Sequence, residues 1–213
     1  TPNPSGLTLS HASLMPARLA GVDQYLFSVL QGTVGVDASD GKLLWHFPFK
    51  FNLSVSPSPL AVGDGRVYIT GGYDSGGAMF RVGRKGDLFT TETIFVHPPD
   101  QWNSEVQTPV FFDGHFFGVG KKRRGMFTCL DLDGSEVWNS DGKAHFGLGS
   151  FILADGMFFI LEGKTGMLRL LEANTVEYRE LASAQILSGH DVWAPLTLSD
   201  GKLLVRDLKR LVC

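Results

Sequence analysis

Pro59-Leu-Ala-Val-Gly-Asp64-Gly65-Arg-Val-Tyr-Ile69 is an apolar run, an Asp-Gly pair and a second apolar run. The phrase returns as Pro109-Val-Phe-Phe-Asp113-Gly114-His-Phe-Phe-Gly-Val119, as Phe151-Ile-Leu-Ala-Asp155-Gly156-Met-Phe-Phe-Ile160, and as Pro195-Leu-Thr-Leu-Ser-Asp200-Gly201-Lys-Leu-Leu-Val205. A degenerate first copy runs from Pro16 to Val29. The clear pairs begin at 64, 113, 155 and 200, a spacing of 42 to 49 residues. A fixed period in that range signals a repeat architecture. Asp-Gly between two apolar runs is a hairpin turn, because glycine tolerates positive φ and aspartate bonds its local backbone.

Outward from that hairpin, each repeat has room for four short strands. The third ends on an acidic residue, in Thr33-Val-Gly-Val-Asp37, Phe127-Thr-Cys-Leu-Asp131 and Leu168-Arg-Leu-Leu-Glu172. A second turn follows, and the fourth strand ends in an aromatic: Lys42-Leu-Leu-Trp45 and Ser135-Glu-Val-Trp138. Short apolar runs bounded by Gly and Asp are strands rather than helices by length. Residues 172–187 have helix-like content, but the repeat register makes them a strand end, a turn and a fourth strand near 180–186. The units are then 14–49, 57–97, 107–140, 149–186 and 194–213, the last with three strands. The expected fold is all-β: a β-propeller of four-stranded antiparallel blades, about 4.7 of which lie in this chain.

Composition fits a packed domain: 43% of the 213 residues are hydrophobic, with 16 Phe, and 26 Gly supply turns. The net charge of −3 disfavours nucleic acid as the main partner, since phosphate binding needs a concentrated basic patch. Lys121-Lys-Arg-Arg124 is the basic cluster and reads as a solvated strand-to-strand loop. No stretch is long and apolar enough for a membrane-spanning helix. Thr1 to Gly6 lacks the basic start and apolar core of a signal peptide, and reads as a mature, cleaved or truncated start. Cys129 and Cys213 fall at equivalent places two repeats apart, too distant for a disulfide, and both read as small buried apolar residues.

Gly35-Val-Asp37-Ala-Ser-Asp-Gly41-Lys-Leu-Leu-Trp45 resembles the repeat of the pyrroloquinoline-quinone (PQQ) dehydrogenase propellers, where Ala-x-Asp-x-x-x-Gly-x-x-x-Trp recurs in each blade. Leu130-Asp131-Leu-Asp-Gly134-Ser-Glu-Val-Trp138 is the same phrase one residue shorter. Residues 166–174 keep the strand and the acid without the Gly and Trp, and residues 78–82 keep only the strand. The pattern is similar to the carboxy-terminal part of the PQQ-binding-like β-propeller repeat proteins. These are bacterial, generally extracytoplasmic, and share their repeat with an outer-membrane assembly lipoprotein that binds no quinone. The resemblance implies a ring of seven or eight blades, so that this chain is a part completed by missing blades of the same polypeptide or of another chain. It also implies that Trp45 and Trp138 dock neighbouring blades, with Asp37 and Asp131 closing the third strands.

Propellers usually meet ligands and partners at the loops that lead into each first, innermost strand. Those loops are polar here. His11, Ser13, Ser104, Glu105, Gln107, His145, His190 and Asp191 are the candidate binding residues, expected at one channel mouth. Imidazole and carboxylate suit divalent metals, yet these residues are whole repeats apart and no local metal motif supports them. His190 and Asp191 could form a general base with its orienter, although neighbours on an extended segment point apart. No Gly-x-Ser-x-Gly elbow is present. Residues 71–77 connect two strands and read as a flexible loop rather than a phosphate cradle. No Trp is followed by Asp as in WD repeats.

The expected function is a non-catalytic extracytoplasmic, periplasmic scaffold that binds a protein partner or small ligand, with no cofactor. The alternative is a PQQ- and calcium-dependent oxidoreductase with part of its site in the missing segment. As the family implies, that chemistry needs Glu, Asn and Asp around a metal and usually a vicinal disulfide. No adjacent Cys pair is present.

Overall fold

The computed structural model describes residue 3, residues 6–120 and residues 125–213. The basic run Lys121 to Arg124 lies outside the described residues. Among those described there is strand and turn but no helix. The first sheet contains β1 (Met15–Leu19), β2 (Val22–Val29), β3 (Gly32–Asp37) and β4 (Leu43–Pro48). The second contains β5 (Leu60–Ala61), β6 (Arg66–Gly71), β7 (Gly76–Lys85) and β8 (Leu88–His97). The third contains β9 (Val110–Phe112), β10 (His115–Gly120), β11 (Met126–Leu130) and β12 (Glu136–Asn139). The fourth contains β13 (Phe151–Ala154), β14 (Met157–Leu161), β15 (Met167–Glu172) and β16 (Glu180–Gln185). The fifth has three strands, β17 (Thr197–Ser199), β18 (Lys202–Arg206) and β19 (Leu211–Val212). Every sheet is an antiparallel meander in chain order, so each is one propeller blade, called here blades 1 to 5. The chain forms two compact units, Thr1–Pro109 and Val110–Cys213. The first holds blades 1 and 2 and the second holds blades 3 to 5.

The repeated Asp-Gly pairs are the first hairpin turn of their blades. Asp113-Gly114, Asp155-Gly156 and Asp200-Gly201 all have both φ values positive, as a type I′ turn requires. Their flanking residues pair directly, Phe112 with His115, Ala154 with Met157 and Ser199 with Lys202. In blade 1 the same turn is made by Ala20 and Gly21, with Leu19 opposite Val22. Alanine at φ 49° holds a left-handed conformation without the local hydrogen bond aspartate makes, which is why that copy looks degenerate in sequence. Around Asp64-Gly65 the loop gains Gly63, and Val62 N–H donates to Arg66 C=O at 3.0 Å. Residues 172–187 follow the repeat register: β15 ends at Glu172 and β16 begins at Glu180.

Each unit has its own aromatic core. In the first, Trp45 and Phe47 of blade 1 meet Val67, Ile69, Ala78 and Phe80 of blade 2. Phe47 and Phe80 stack at 3.9 Å, and Trp45 meets Phe80 edge-on at 5.7 Å. The Trp45 ring covers Gly35 on the facing strand, where a Cβ would lie 2.3 Å from the indole; only glycine leaves that space. Its indole N–H donates to Gln24 Oε1 at 2.7 Å. In the second unit, Phe117, Phe127, Phe158 and Trp138 form one cluster across blades 3 and 4. Trp138 faces Cys129 in register and donates to the Asn174 carbonyl of blade 4 at 3.3 Å. Both tryptophans are therefore buried at a seam between blades. Asp37 accepts the Ser39 hydroxyl at 2.6 Å and amide at 2.8 Å, which holds its carboxyl below the usual range. Asp131 accepts the Asp133 N–H at 2.9 Å in the equivalent turn.

Two expectations need correction. Cys129 is buried and its thiol is pushed up to about 12, first by burial, but Cys213 is exposed. It follows β19, the outer strand of the described three-stranded sheet. The glycine-rich turn after β6 is tied down rather than loose. Asn52 Nδ2 donates to Tyr73 C=O at 2.9 Å and to Asp74 C=O at 2.8 Å, and its own N–H donates to Ser75 Oγ at 3.0 Å.

Candidate functional site

The loops that lead into the first strands dock on the turns that join second to third strands. Leu30 N–H donates to Thr8 C=O at 3.1 Å, and Phe51 N–H donates back to Leu30 C=O at 2.9 Å. Ser104 N–H donates to Thr70 Oγ1 at 3.0 Å, while Thr70 donates to Gly76 C=O at 3.1 Å. In the second unit Gly163 N–H donates to Phe146 C=O at 2.9 Å, and its C=O accepts Val192 N–H at 2.9 Å. No residue pattern signals this docking, because it uses backbone groups and lone hydroxyls.

Within the first unit a row of hydroxyls links successive loops. Ser13 N–H donates to Ser58 Oγ at 2.9 Å, and Ser58 N–H donates to Thr108 Oγ1 at 2.9 Å. Each of these residues stands just before a first strand, so the row repeats with the blades. Ser13, read from sequence as a binding residue, thus supplies a structural N–H. His11 is exposed and is fixed by its own N–H to Val55 C=O at 3.1 Å. Ser104 is 1% exposed and its hydroxyl donates to Gln107 C=O at 2.5 Å. Glu105 lies against Gly72, where an added Cβ would come within 2.7 Å of Glu105 Cγ. Ser104, Glu105 and Gln107 therefore form a loop packed onto blade 2.

The second unit presents its loops differently. His145 is exposed between buried Ala144 and Phe146. His190 and Asp191 are exposed and joined, His190 Nδ1 to Asp191 Oδ2 at 2.8 Å. The expectation that these neighbours point apart is overturned. Asp191 has φ 59°, so the segment is not extended there and the side chains turn toward each other. Next to them, Asp207 is buried and accepts the Lys209 and Arg210 N–H groups at 2.8 and 2.7 Å, which keeps its carboxyl below its ordinary value. Arg210 reaches Ser188 Oγ at 2.7 Å and stands 3.6 Å from Asp207. A cleft of about 430 Å³ lies between Ser188–His190 and the 207–210 turn. A neighbouring cleft of about 420 Å³ is lined by Asp191, Trp193, Arg206 and Leu208. Trp193 is 45% exposed and Leu208 is 70% exposed.

Sequence reading missed the charged network on blade 4. Arg169 bonds Glu162 at 2.6 Å and Glu180 at 2.8 Å, and the Tyr178 hydroxyl donates to Glu180 at 3.0 Å. Burial raises the Glu180 carboxyl, but hydrogen bonds from Arg169, Tyr178 and Ser183 outweigh it and leave it below its ordinary value. This network crosses one sheet and sets one guanidinium between two carboxylates, with every member hydrogen-bonded, as in a structural cross-strand tie. Among the described residues no group of three or more His, Cys, Asp or Glu is placed to hold a metal ion. Nor, among them, is any helix long and apolar enough to cross a membrane.

No family model and no curated protein matches the chain. Solved structures do. BamB from Moraxella catarrhalis matches with a TM-score of 0.63 at 13% identity, over 92% of this chain and 55% of that one. A Thermus thermophilus protein described as a putative oxidoreductase (glucose dehydrogenase) matches with a TM-score of 0.42 at 12% identity, over 94% and 91% of the two chains. A europium-containing methanol dehydrogenase matches with a TM-score of 0.36 at 14% identity, over 91% and 38%. The chain spans little more than half the length of the BamB structure. Five meandering blades, tryptophans at the blade seams and the likeness to BamB together give the chain the fold of a PQQ-like β-propeller.

Proposed function

We propose that the chain is part of a non-catalytic, extracytoplasmic binding propeller that contacts a protein partner through its lead-in loops. One observation carries this reading: the 188–193 loop sets exposed Trp193, His190 and Asp191 beside exposed Leu208. An exposed aromatic rimmed by charge is the composition of a protein contact rather than of a reacting centre. A small ligand in the adjoining clefts is the lesser form of the same reading. The periplasmic placement rests on the resemblance of the repeat phrases.

The quinoprotein alternative meets a poor fit in the described residues. Their carboxylates and imidazoles do not gather into a metal-binding set, and Cys129 and Cys213 are both free. Trp45 and Trp138 are buried at blade seams and offer no platform for a ring. The full-length protein, mixed with PQQ and calcium, is expected to give a flat absorption difference spectrum. A saturable new band would favour the oxidoreductase. In parallel, Trp193→Ala should weaken partner binding at least about tenfold, as loss of an aromatic anchor does, and unchanged affinity would overturn the loop assignment.

A further inference from the structure

Blade 2 turns its two faces to different surroundings. Val67, Ile69, Ala78 and Phe80 face the apolar core shared with Trp45. With a strand period of two, the other face carries Tyr68, Thr70 and Met79, followed across β8 by Phe95 and His97. Thr70, Gly77 and His97 lie side by side in register. Gly77 keeps this part of the face closely packed: a Cβ there would come within 2.7 Å of the Ile69 carbonyl oxygen and 3.3 Å of both the Tyr68 hydroxyl and Thr70 Cβ. The segment after β8 lays Trp102 over this face. The Trp102 ring is 6.1 Å from that of Tyr68 and 6.3 Å from that of His97, and Tyr68 and His97 are 6.2 Å apart.

Polar atoms of this face and of the segment that follows it are not matched by the protein. His97 Nε2, Trp102 Nε1 and both amide atoms of Asn103 are buried without a hydrogen-bond partner from the chain. Asn103 is 0% exposed, and His97 and Trp102 are 3% exposed. Each buried polar atom left unpaired costs about 1–3 kcal/mol, and folded proteins seldom carry several together. The set holds fixed N–H donors, a carbonyl acceptor and an imidazole nitrogen. All are neutral, since burial holds His97 below its ordinary value against the opposing pull of a hydrogen bond with Gln101. A buried ion would lack a counter-charge in this set. A hydroxyl oxygen, of water or of an alcohol, donates and accepts through one small uncharged atom and so suits this set.

We propose that this face of blade 2 is an internal binding site for a neutral hydroxylic guest, held by His97, Trp102 and Asn103. The guest completes the anchoring of the segment that continues into Ser104, Glu105 and Gln107. Its oxygens come either from ordered water or from a short polyol. Crystals of the full-length protein grown and cooled without polyol test the site. Oxygen density is expected at hydrogen-bond distance, about 2.7–3.2 Å, from Trp102 Nε1 and the Asn103 amide. Trp102→Phe, which keeps an aromatic ring but removes the donor, should lose the oxygen nearest the indole. Density showing Asn103 and His97 bonded directly to protein groups, with no oxygen between, would overturn the proposal. A glycerol titration followed at the Trp102 indole N–H separates the sources. A saturable shift identifies a polyol, and an unmoved signal together with oxygen density identifies water.

Discussion

Two loops of this chain have the same place in the repeat and similar polarity, yet opposite fates. Residues 102–107 lead into β9 and are packed down: Trp102, Asn103 and Ser104 are all buried, and Thr70 holds the Ser104 amide. Residues 188–193 lead into β17 and stand open, with only Val192 of the 190–193 stretch buried. The difference lies in what each loop lands on. Blade 2 offers the rings of Tyr68 and His97, over which Trp102 lies, and the Thr70 hydroxyl, which accepts the Ser104 amide. The 188–193 loop is tied to the blade 4 turn through Val192 N–H to Gly163 C=O and meets the Asp207 turn of blade 5 where Arg210 reaches Ser188, which leaves His190, Asp191 and Trp193 exposed. Polarity at a lead-in loop is therefore no guide to function until the receiving turn is known.

If the first loop is an anchor, breaking it should cost stability and little binding. Trp102→Ala should have the largest effect, destabilising the chain by about 3–5 kcal/mol in urea unfolding. A loss below about 1 kcal/mol would show that the ring is not locked in place. Thr70→Val should follow at about 1–3 kcal/mol, because it strips the Ser104 N–H of its acceptor in a buried setting. Partner affinity should hold in both folded variants.

The same anchor should be sensitive to acid. His97 sits below its ordinary value of 6.5, chiefly because burial disfavours the charged ring. The unfolded chain therefore takes up a proton there before the folded chain does. Its contribution is complete above 6.5 and is lost as pH falls from 6.5 towards the lowered folded value. His97→Gln should flatten that limb of the stability–pH curve, and an unchanged limb would place the acid sensitivity elsewhere. The open loop should behave in the opposite way. His190→Ala should change stability by no more than about 0.5 kcal/mol, since both members of the His190–Asp191 pair are exposed. Its effect should fall on binding.

The fold was legible because hairpin turns are local. Asp113-Gly114, Asp155-Gly156 and Asp200-Gly201 announce positive φ by their residue types, and strand order follows from the meander. Trp45 could be read as a seam residue because the phrase around it fixes both its strand and the Gly35 beneath it. The site was less legible because its contacts are not local. Ser13 has the look of a ligand-binding hydroxyl, but its N–H completes a row with Ser58 and Thr108, from loops about one and two repeats away. His190 and Asp191 diverge only on an extended backbone, and one left-handed residue reverses that. Asn103 and Trp102 carry no motif at all. Their importance comes from burial beside a face of blade 2 that only register reveals.

The open loop makes contact while the buried loop supports. A photoreactive residue placed at position 190 of the full-length protein, and separately at 104, tests that division in the native host. A discrete partner adduct is expected from 190 and none from 104. An adduct from 104 alone, or equally from both, would contradict it.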